Sequence, residues 1–233
     1  MIRLFVEVAI RRCLSAFCLA AAALTPGVGA AGAWSREEGT VFLSFGANLA
    51  LSAAAERPVH YDPTVYVEYR WSERLTLGLD GYTADKGEAG SLFAFARMPI
   101  GRNDGAARLA FSLGVGAVAI PTGSIEPSFR VGLHWGRGLV SGWLAVDAEL
   151  VHAMGADRQQ SKVDVTWGYR FSDAIAAVVT GQAGTGLEGD NYAKISPTLV
   201  WQATDRISLR AGAVHALTGD RGTGLMTQVW LTF

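Results

Sequence analysis

The sequence contains little cysteine and little lysine. Its two cysteines, Cys13 and Cys18, lie in a leader that we expect to be removed, so neither a disulfide nor thiol chemistry is predicted for the mature chain. The three lysines are Lys86, Lys162 and Lys194. A water-soluble sheet usually covers its wet face with lysine and glutamate, whereas the polar positions here carry mostly glycine, serine, threonine and a few arginines.

Long hydrophobic runs are also missing outside the first 33 residues. Residues 1–12 carry three arginines against one glutamate, and an apolar run follows over residues 13–24. The sequence Ala31-Gly32-Ala33 fits a cleavage site of the A-x-A type, and residues 28–30 offer a rival site. Residues 1–33 are therefore predicted to be an export signal, and residues 34–233 a single domain. No stretch of that domain is long and apolar enough for a membrane-spanning helix.

The charge balance of the predicted mature chain excludes one class of partner. The leader holds three arginines and one glutamate, which leaves 17 basic and 20 acidic residues and a formal net charge of −3. This balance gives no reason to expect nucleic acid. No group of residues has metal-ligand spacing, and the spaced glycines lie within strands rather than at a strand-to-helix turn, so neither a metal nor another cofactor is expected.

Alternation with a period of two dominates the mature chain and predicts strands with two different faces. Val163, Val165 and Trp167 share one face of such a segment, whereas Lys162 and Asp164 lie on the other. Most segments are about ten residues long, the length that a tilted strand needs to cross a bilayer. The fourth segment has the weakest pattern, because two phenylalanines share their face with an arginine. Twelve segments are predicted, over residues 40–49, 63–72, 75–84, 91–98, 107–119, 126–137, 142–153, 161–171, 174–184, 192–202, 207–217 and 224–233.

The connections between these segments alternate between tight and loose. Tight turns are predicted at residues 72–74, 172–173 and 203–206, and looser links lie between them; the link over residues 99–106 is long for its side. Short turns on one side and longer loops on the other are typical of outer-membrane barrels. An even number of strands places both chain termini on the short-turn side, which we expect to be the periplasm.

Alternation alone fits a soluble barrel as well, so other features decide between the two environments. The last segment alternates fully from Leu225 to Phe233, and aromatic residues cluster at the predicted strand ends. Amphipathic rings favour the headgroup boundary of a bilayer, although ordinary packing also places aromatics at strand ends. The predicted membrane-interface girdle comprises Trp71, Trp135, Phe171, Trp201 and Phe233.

Residues 34–233 as a whole resemble a porin-like β-barrel protein of the Gram-negative outer membrane. The resemblance implies a closed antiparallel barrel of about twelve strands, in contact with outer-membrane lipid and lipopolysaccharide. It also implies that the barrel-assembly machinery recognises the last strand, which ends at Phe233. The function implied is a channel or transporter for a small solute, and no enzyme activity.

If Phe233 faces lipid, alternation assigns the opposite face to the lumen. Tyr66, Tyr82, Trp143, Tyr192 and Trp230 fall on that face. The charged lining could select solutes, or it could form ion pairs that plug a narrow barrel, and the sequence leaves both open. The candidate pore-lining residues are Glu68, Arg70, Asp80, Arg108, Arg130, His134, Asp147, Glu149, Lys162, Asp164, Arg170, Lys194 and Arg210.

An outer-membrane hydrolase is the remaining alternative. Omptin-type proteases use Asp and His at the long-loop rim, where this sequence places His60, His152 and His215, each with an aspartate nearby. However, His152 and His215 fall on the lipid-facing side of their strands. Neither is followed by a serine, which a lipid deacylase would need as its nucleophile. No catalytic residue is therefore assigned.

Overall fold

The chain forms one closed antiparallel barrel of twelve strands. The computed structural model describes residues 32–51, 61–84, 89–101, 105–120, 123–155, 157–219 and 222–233. Each strand pairs with its neighbour in sequence, and β1 also pairs with β12, which closes the barrel. The strands are β1 (Val41–Ala50), β2 (Tyr61–Ser72), β3 (Leu75–Ala84), β4 (Ala89–Pro99), β5 (Ala107–Ala119), β6 (Ile125–Leu139), β7 (Gly142–Ala153), β8 (Arg158–Arg170), β9 (Ile175–Thr185), β10 (Asn191–Gln202), β11 (Ile207–Thr218) and β12 (Thr223–Thr232).

Closure of the barrel gives the backbone N–H and C=O groups of the edge strands hydrogen-bond partners where no water is available. An open sheet leaves two edges of unpaired N–H and C=O groups, and lipid offers those groups no partners. Here the two edge strands bond to each other with Phe42 opposite Thr232 and Ala50 opposite Gly224. We call the end of the barrel where β1 begins and β12 ends the termini end, and the opposite end the far end.

The outer face of the barrel is apolar. Leu79 and Leu113 lie in the middle of their strands, Leu199 lies nearer the end of β10, and the three are 48%, 49% and 57% exposed. A belt of this kind around a whole molecule exceeds the apolar patches of soluble monomers and suits contact with lipid hydrocarbon. Among the described residues, no helix is long and apolar enough to cross a membrane.

The predicted twelve-stranded antiparallel barrel is confirmed, and the bounds of β3, β5 and β7 are those expected from the alternation. The weak fourth segment is β4, where Phe93 and Phe95 point inward together with Arg97 and are only 1% and 7% exposed. Its inward rings lie beside cations: the Arg130 guanidinium is 4.8 Å from the centre of the Phe93 ring. Residues 1–31, which include most of the predicted leader, and His60 lie outside the described residues.

Candidate functional site

Two polar cavities lie one above the other inside the barrel. The cavity toward the termini end, which we call the lower cavity, has a volume of about 300 Å³ and reaches Arg97, His134 and Trp230. The cavity toward the far end has a volume of about 320 Å³ and reaches Tyr192 and Lys194. Seven residues line both cavities and form what we call the mid-lumen belt: Ser44, Tyr66, Asp80, Lys162, Asp164, Arg210 and Gln228.

Ion pairs cross the lumen at the level of this belt. Arg130 Nη1 on β6 lies 2.5 Å from Asp80 Oδ2 on β3 and 3.7 Å from Glu149 Oε2 on β7. Lys162 Nζ on β8 lies 3.2 Å from the same Glu149 oxygen and 3.6 Å from Asp164 Oδ2. Since strands β3 and β6 are not neighbours in the sheet, the Arg130–Asp80 pair narrows the lumen as well as neutralising its charge.

A second charged network lies near the termini end around Glu68, which is 1% exposed. Its carboxylate accepts hydrogen bonds from Arg36 Nε at 2.5 Å, from Tyr66 Oη at 2.8 Å and from a terminal nitrogen of Arg97. The Arg36 guanidinium also stacks over the Phe42 ring at 3.6 Å. One buried carboxylate therefore holds two cations, and one of these belongs to the segment that precedes β1.

That segment, residues 34–36, lies inside the termini end of the barrel, and we call it the N-terminal segment. Trp34 packs against a cluster that contains Phe42, Trp143 and Trp230. A β-carbon at Gly136 would collide with the Trp34 indole, so the glycine makes room for this ring. The N-terminal segment and the aromatic cluster together narrow this end of the lumen.

A serine, a histidine and an aspartate form a hydrogen-bonded chain in the wall of the lower cavity. Ser112 Oγ lies 2.9 Å from His134 Nε2, and His134 Nδ1 lies 2.8 Å from Asp147 Oδ1. With the proton on Nδ1, His134 donates to Asp147 and accepts the Ser112 hydroxyl hydrogen. Gly132 lies opposite Ser112 across the β5–β6 pair, where any side chain would collide with the Ser112 hydroxyl.

Solved outer-membrane channels share this architecture. The COG4313 outer membrane channel from Pseudomonas putida F1 superposes with a TM-score of 0.59 at 10% identity, over 88% of this chain and 99% of that channel. The KdgM porin, solved in complex with disordered oligogalacturonate, superposes with a TM-score of 0.58 at 7% identity, over 83% and 98% of the two chains. The NanC porin gives a TM-score of 0.55 at 8% identity, with the same coverages.

The chain has the fold of outer-membrane channels. At these identities the likeness extends to the fold alone, so roles of single residues do not transfer from it. No protein-family model matches this sequence, and no curated protein matches it.

The structure places the thirteen charged candidates of the lumen in three settings of this channel fold. Glu68 and Arg70 are buried below the cavities, and a terminal nitrogen of Arg70 donates to the Glu73 carbonyl oxygen. Arg108 and Arg170 each have one buried nitrogen with no hydrogen-bond partner in the described structure. The other nine line the cavities: Asp80, Arg130, His134, Asp147, Glu149, Lys162, Asp164, Lys194 and Arg210.

Two charged residues of the site were missed by the sequence reasoning. Arg97 lines the lower cavity, but the weak alternation of β4 gave no assignment of its face. Arg36 lies before β1, where no alternation exists to place a side chain in the lumen. The pairing of β4 with its neighbours could have assigned Arg97 to the lumen. Arg97 lies directly opposite Thr76 on β3 and Ser112 on β5, and paired residues share a face of the sheet.

The rim histidines that are described form no catalytic cleft in this channel fold. His152 Nε2 is 3.9 Å from Asp157 Oδ1, but that aspartate side chain is 95% exposed, and the histidine ring packs 5.1 Å from the Phe129 ring. His215 donates to or accepts from Thr223 Oγ1 at 2.8 Å on the exposed face. Within the described residues, no group of three His, Cys, Asp or Glu side chains could hold a metal ion.

The predicted girdle residues lie on the outer face at the termini end. Trp71, Phe171, Trp201 and Phe233 are 54–65% exposed, whereas Trp135 is half-buried. Aromatic neighbours on the same face extend this band: the Tyr69 and Trp71 rings lie 6.0 Å apart, and the Tyr169 and Phe171 rings 5.2 Å apart. Such a band fits the level at which amphipathic rings meet lipid headgroups.

Proposed function

We propose that the chain forms a narrow outer-membrane channel for small solutes. The observation that carries this proposal is the pair of cavities that share the mid-lumen belt, since together they place charged and polar side chains around open space in the middle of the barrel. Porins with sixteen or more strands leave a wide aqueous pore, whereas twelve strands crossed by ion pairs leave room only for small molecules. The charged side chains of the mid-lumen belt favour a charged solute.

The proposal includes the surroundings of the barrel. Residues 1–33 are removed as an export leader, and both ends of residues 34–233 face the periplasm. The apolar belt contacts lipid, the girdle aromatics contact the headgroup region, and lipopolysaccharide surrounds the far end. The barrel-assembly machinery recognises β12 through its terminal Phe233. These statements rest on the sequence pattern and on the even number of strands.

Conductance across planar lipid bilayers tests the channel. Purified, folded protein should produce discrete current steps, and the steps should be smaller than those of a sixteen-strand porin measured in the same salt. Folding is checked first in detergent gels, where unheated, folded barrels should migrate differently from the heat-denatured chain. Repeated insertions of folded protein without current steps would contradict the proposal and favour a plugged barrel with a structural or accessory role.

The plugged barrel is the second candidate, and the N-terminal segment favours it. Trp34 and Arg36 occupy the termini end of the lumen, where they are held by the aromatic cluster and by Glu68. If this segment blocks passage, deletion of residues 34–36 should create current steps that the complete chain lacks.

A lumenal hydrolase is a third candidate, and the Ser112–His134–Asp147 chain favours it. The two distances match those of a nucleophile, a general base and an orienting acid. However, Ser112 lies within β5, which pairs on both sides, so no backbone N–H pair beside it is free to bind an oxyanion. We therefore do not assign an enzyme activity.

A fluorophosphonate probe tests this assignment. We expect no more labelling of the wild-type barrel than of Ser112→Ala, because the serine lacks oxyanion donors. The heat-denatured protein sets the background for both. Labelling that is lost specifically in Ser112→Ala would show a reactive serine and would reinstate the hydrolase.

A further inference from the structure

The cations of the lower cavity differ in their counterions. Arg97 pairs with Glu68, Arg130 pairs with Asp80 and Glu149, and Lys162 pairs with Glu149 and Asp164. Arg210 is the exception among these four, because its contacts in the described structure are with neutral oxygens.

Three neutral oxygens accept hydrogen bonds from the Arg210 guanidinium, and we call them its neutral cradle. Its Nε donates to Thr198 Oγ1 at 2.9 Å, one terminal nitrogen donates to Gln228 Oε1 at 3.3 Å, and the other donates to Thr180 Oγ1 at 3.4 Å. These contacts come from the neighbouring strands β10 and β12 and from β9, and they fix the guanidinium in the wall. Asp164 belongs to the same belt, but it already accepts from the Gln182 amide at 2.8 Å and pairs with Lys162.

The cradle leaves donors for a ligand. A guanidinium carries five N–H groups, and the three contacts use one on each nitrogen, so each terminal nitrogen keeps one. Arg210 lines both cavities, which places it on the path of any solute that passes the mid-lumen belt. Arginine is suited to a carboxylate, because two parallel N–H donors match the two oxygens.

We propose that Arg210 binds one carboxylate group of a small anionic solute at the mid-lumen belt and gives the channel its preference for anions. This inference rests on the proposed channel function for its consequence, but the binding itself does not need conduction. Charge on the cavity walls supports it, because among the described residues that line the two cavities the cations outnumber the carboxylates by five to four. The cations are Arg97, Arg130, Lys162, Lys194 and Arg210, and the carboxylates are Asp80, Asp147, Glu149 and Asp164.

Binding is measured on the folded barrel in detergent, with sodium acetate as the probe and sodium chloride at equal ionic strength as the reference. Because a ligand that binds only the folded state stabilises it, acetate should raise the unfolding temperature of the wild type above that in chloride. The shift should vanish in Arg210→Gln and persist in Arg206→Gln, which removes an exposed cation from a turn at the termini end. Arg210→Lys keeps the charge but loses the two-donor fork, so its shift should be smaller.

Selectivity is measured separately in bilayers under a potassium chloride gradient. The wild type and Arg206→Gln should show a reversal potential on the anion-selective side. In Arg210→Gln the reversal potential should shift toward the equilibrium potential of potassium. Equal acetate shifts in wild type and Arg210→Gln, or no shift in the wild type, would overturn the inference. An acetate shift that depends on Arg210 in a barrel that carries no current would support the binding site and overturn the channel.

Discussion

Replacing Leu113 by arginine is expected to destabilise the folded barrel in lipid by about 2–4 kcal/mol. Leu113 lies at the middle of β5 on the outer face and is 49% exposed, so the new guanidinium would meet hydrocarbon at the depth where a charge costs most. The measurement is the urea midpoint of reversible folding into phosphatidylcholine vesicles, converted to a free energy of unfolding.

Leu139→Arg is the matched control, because it makes the same substitution at a similar exposure, 45%, where β6 ends next to a tight turn. There the arginine reaches headgroups and water, and its cost should fall to about 0–1 kcal/mol. Equal costs at the two positions would contradict the membrane placement. If the outer face contacted water, both arginines would be solvated and neither would destabilise the barrel.

The architecture could be predicted closely, because alternation is a local property of the chain. Once one face meets hydrocarbon, a shift of one residue would turn every polar side chain of a strand toward lipid. The pattern in β8 from Lys162 to Arg170 therefore fixes its faces without knowledge of the neighbouring strands. The ends of all twelve strands were predicted within three residues. β4 shows that the assignment of faces depends on this pattern. It carries Phe93 and Phe95 inward beside an arginine, which breaks the alternation, and its faces were not assigned.

The pairing inside the lumen could not be predicted from alternation. Arg130 and Asp80 are 50 residues apart in sequence and meet across the barrel, which depends on the tilt and stagger of the strands. Likewise, nothing in the sequence distinguishes Arg210 from Arg130. The difference between them is whether a carboxylate forms an ion pair with the guanidinium in the described structure, and this depends on neighbours contributed by other strands.

The segment that precedes β1 shows the same limit more sharply. Alternation starts only at β1, so the sequence offers no pattern from which to place Trp34 or Arg36 in the lumen. Their placement depends on two complementary features elsewhere in the chain: the space left by Gly136 for an indole and the buried carboxylate of Glu68. The barrel therefore holds a segment of its own chain in the lumen at the termini end.

Replacing Glu68 by glutamine is expected to have the largest effect on stability, about 3–5 kcal/mol, because it leaves Arg36 and Arg97 in a buried site without their shared counterion. The same loss frees Arg36, so the N-terminal segment should leave the lumen more often and single-channel conductance should rise. Urea midpoints in vesicles measure the first effect and bilayer currents measure the second. Glu37→Gln is the control, since its side chain is exposed beside the same segment. A Glu68→Gln barrel as stable as Glu37→Gln would mean that water reaches the two guanidinium groups. An unchanged conductance in a destabilised Glu68→Gln barrel would mean that Trp34 alone keeps the segment in place.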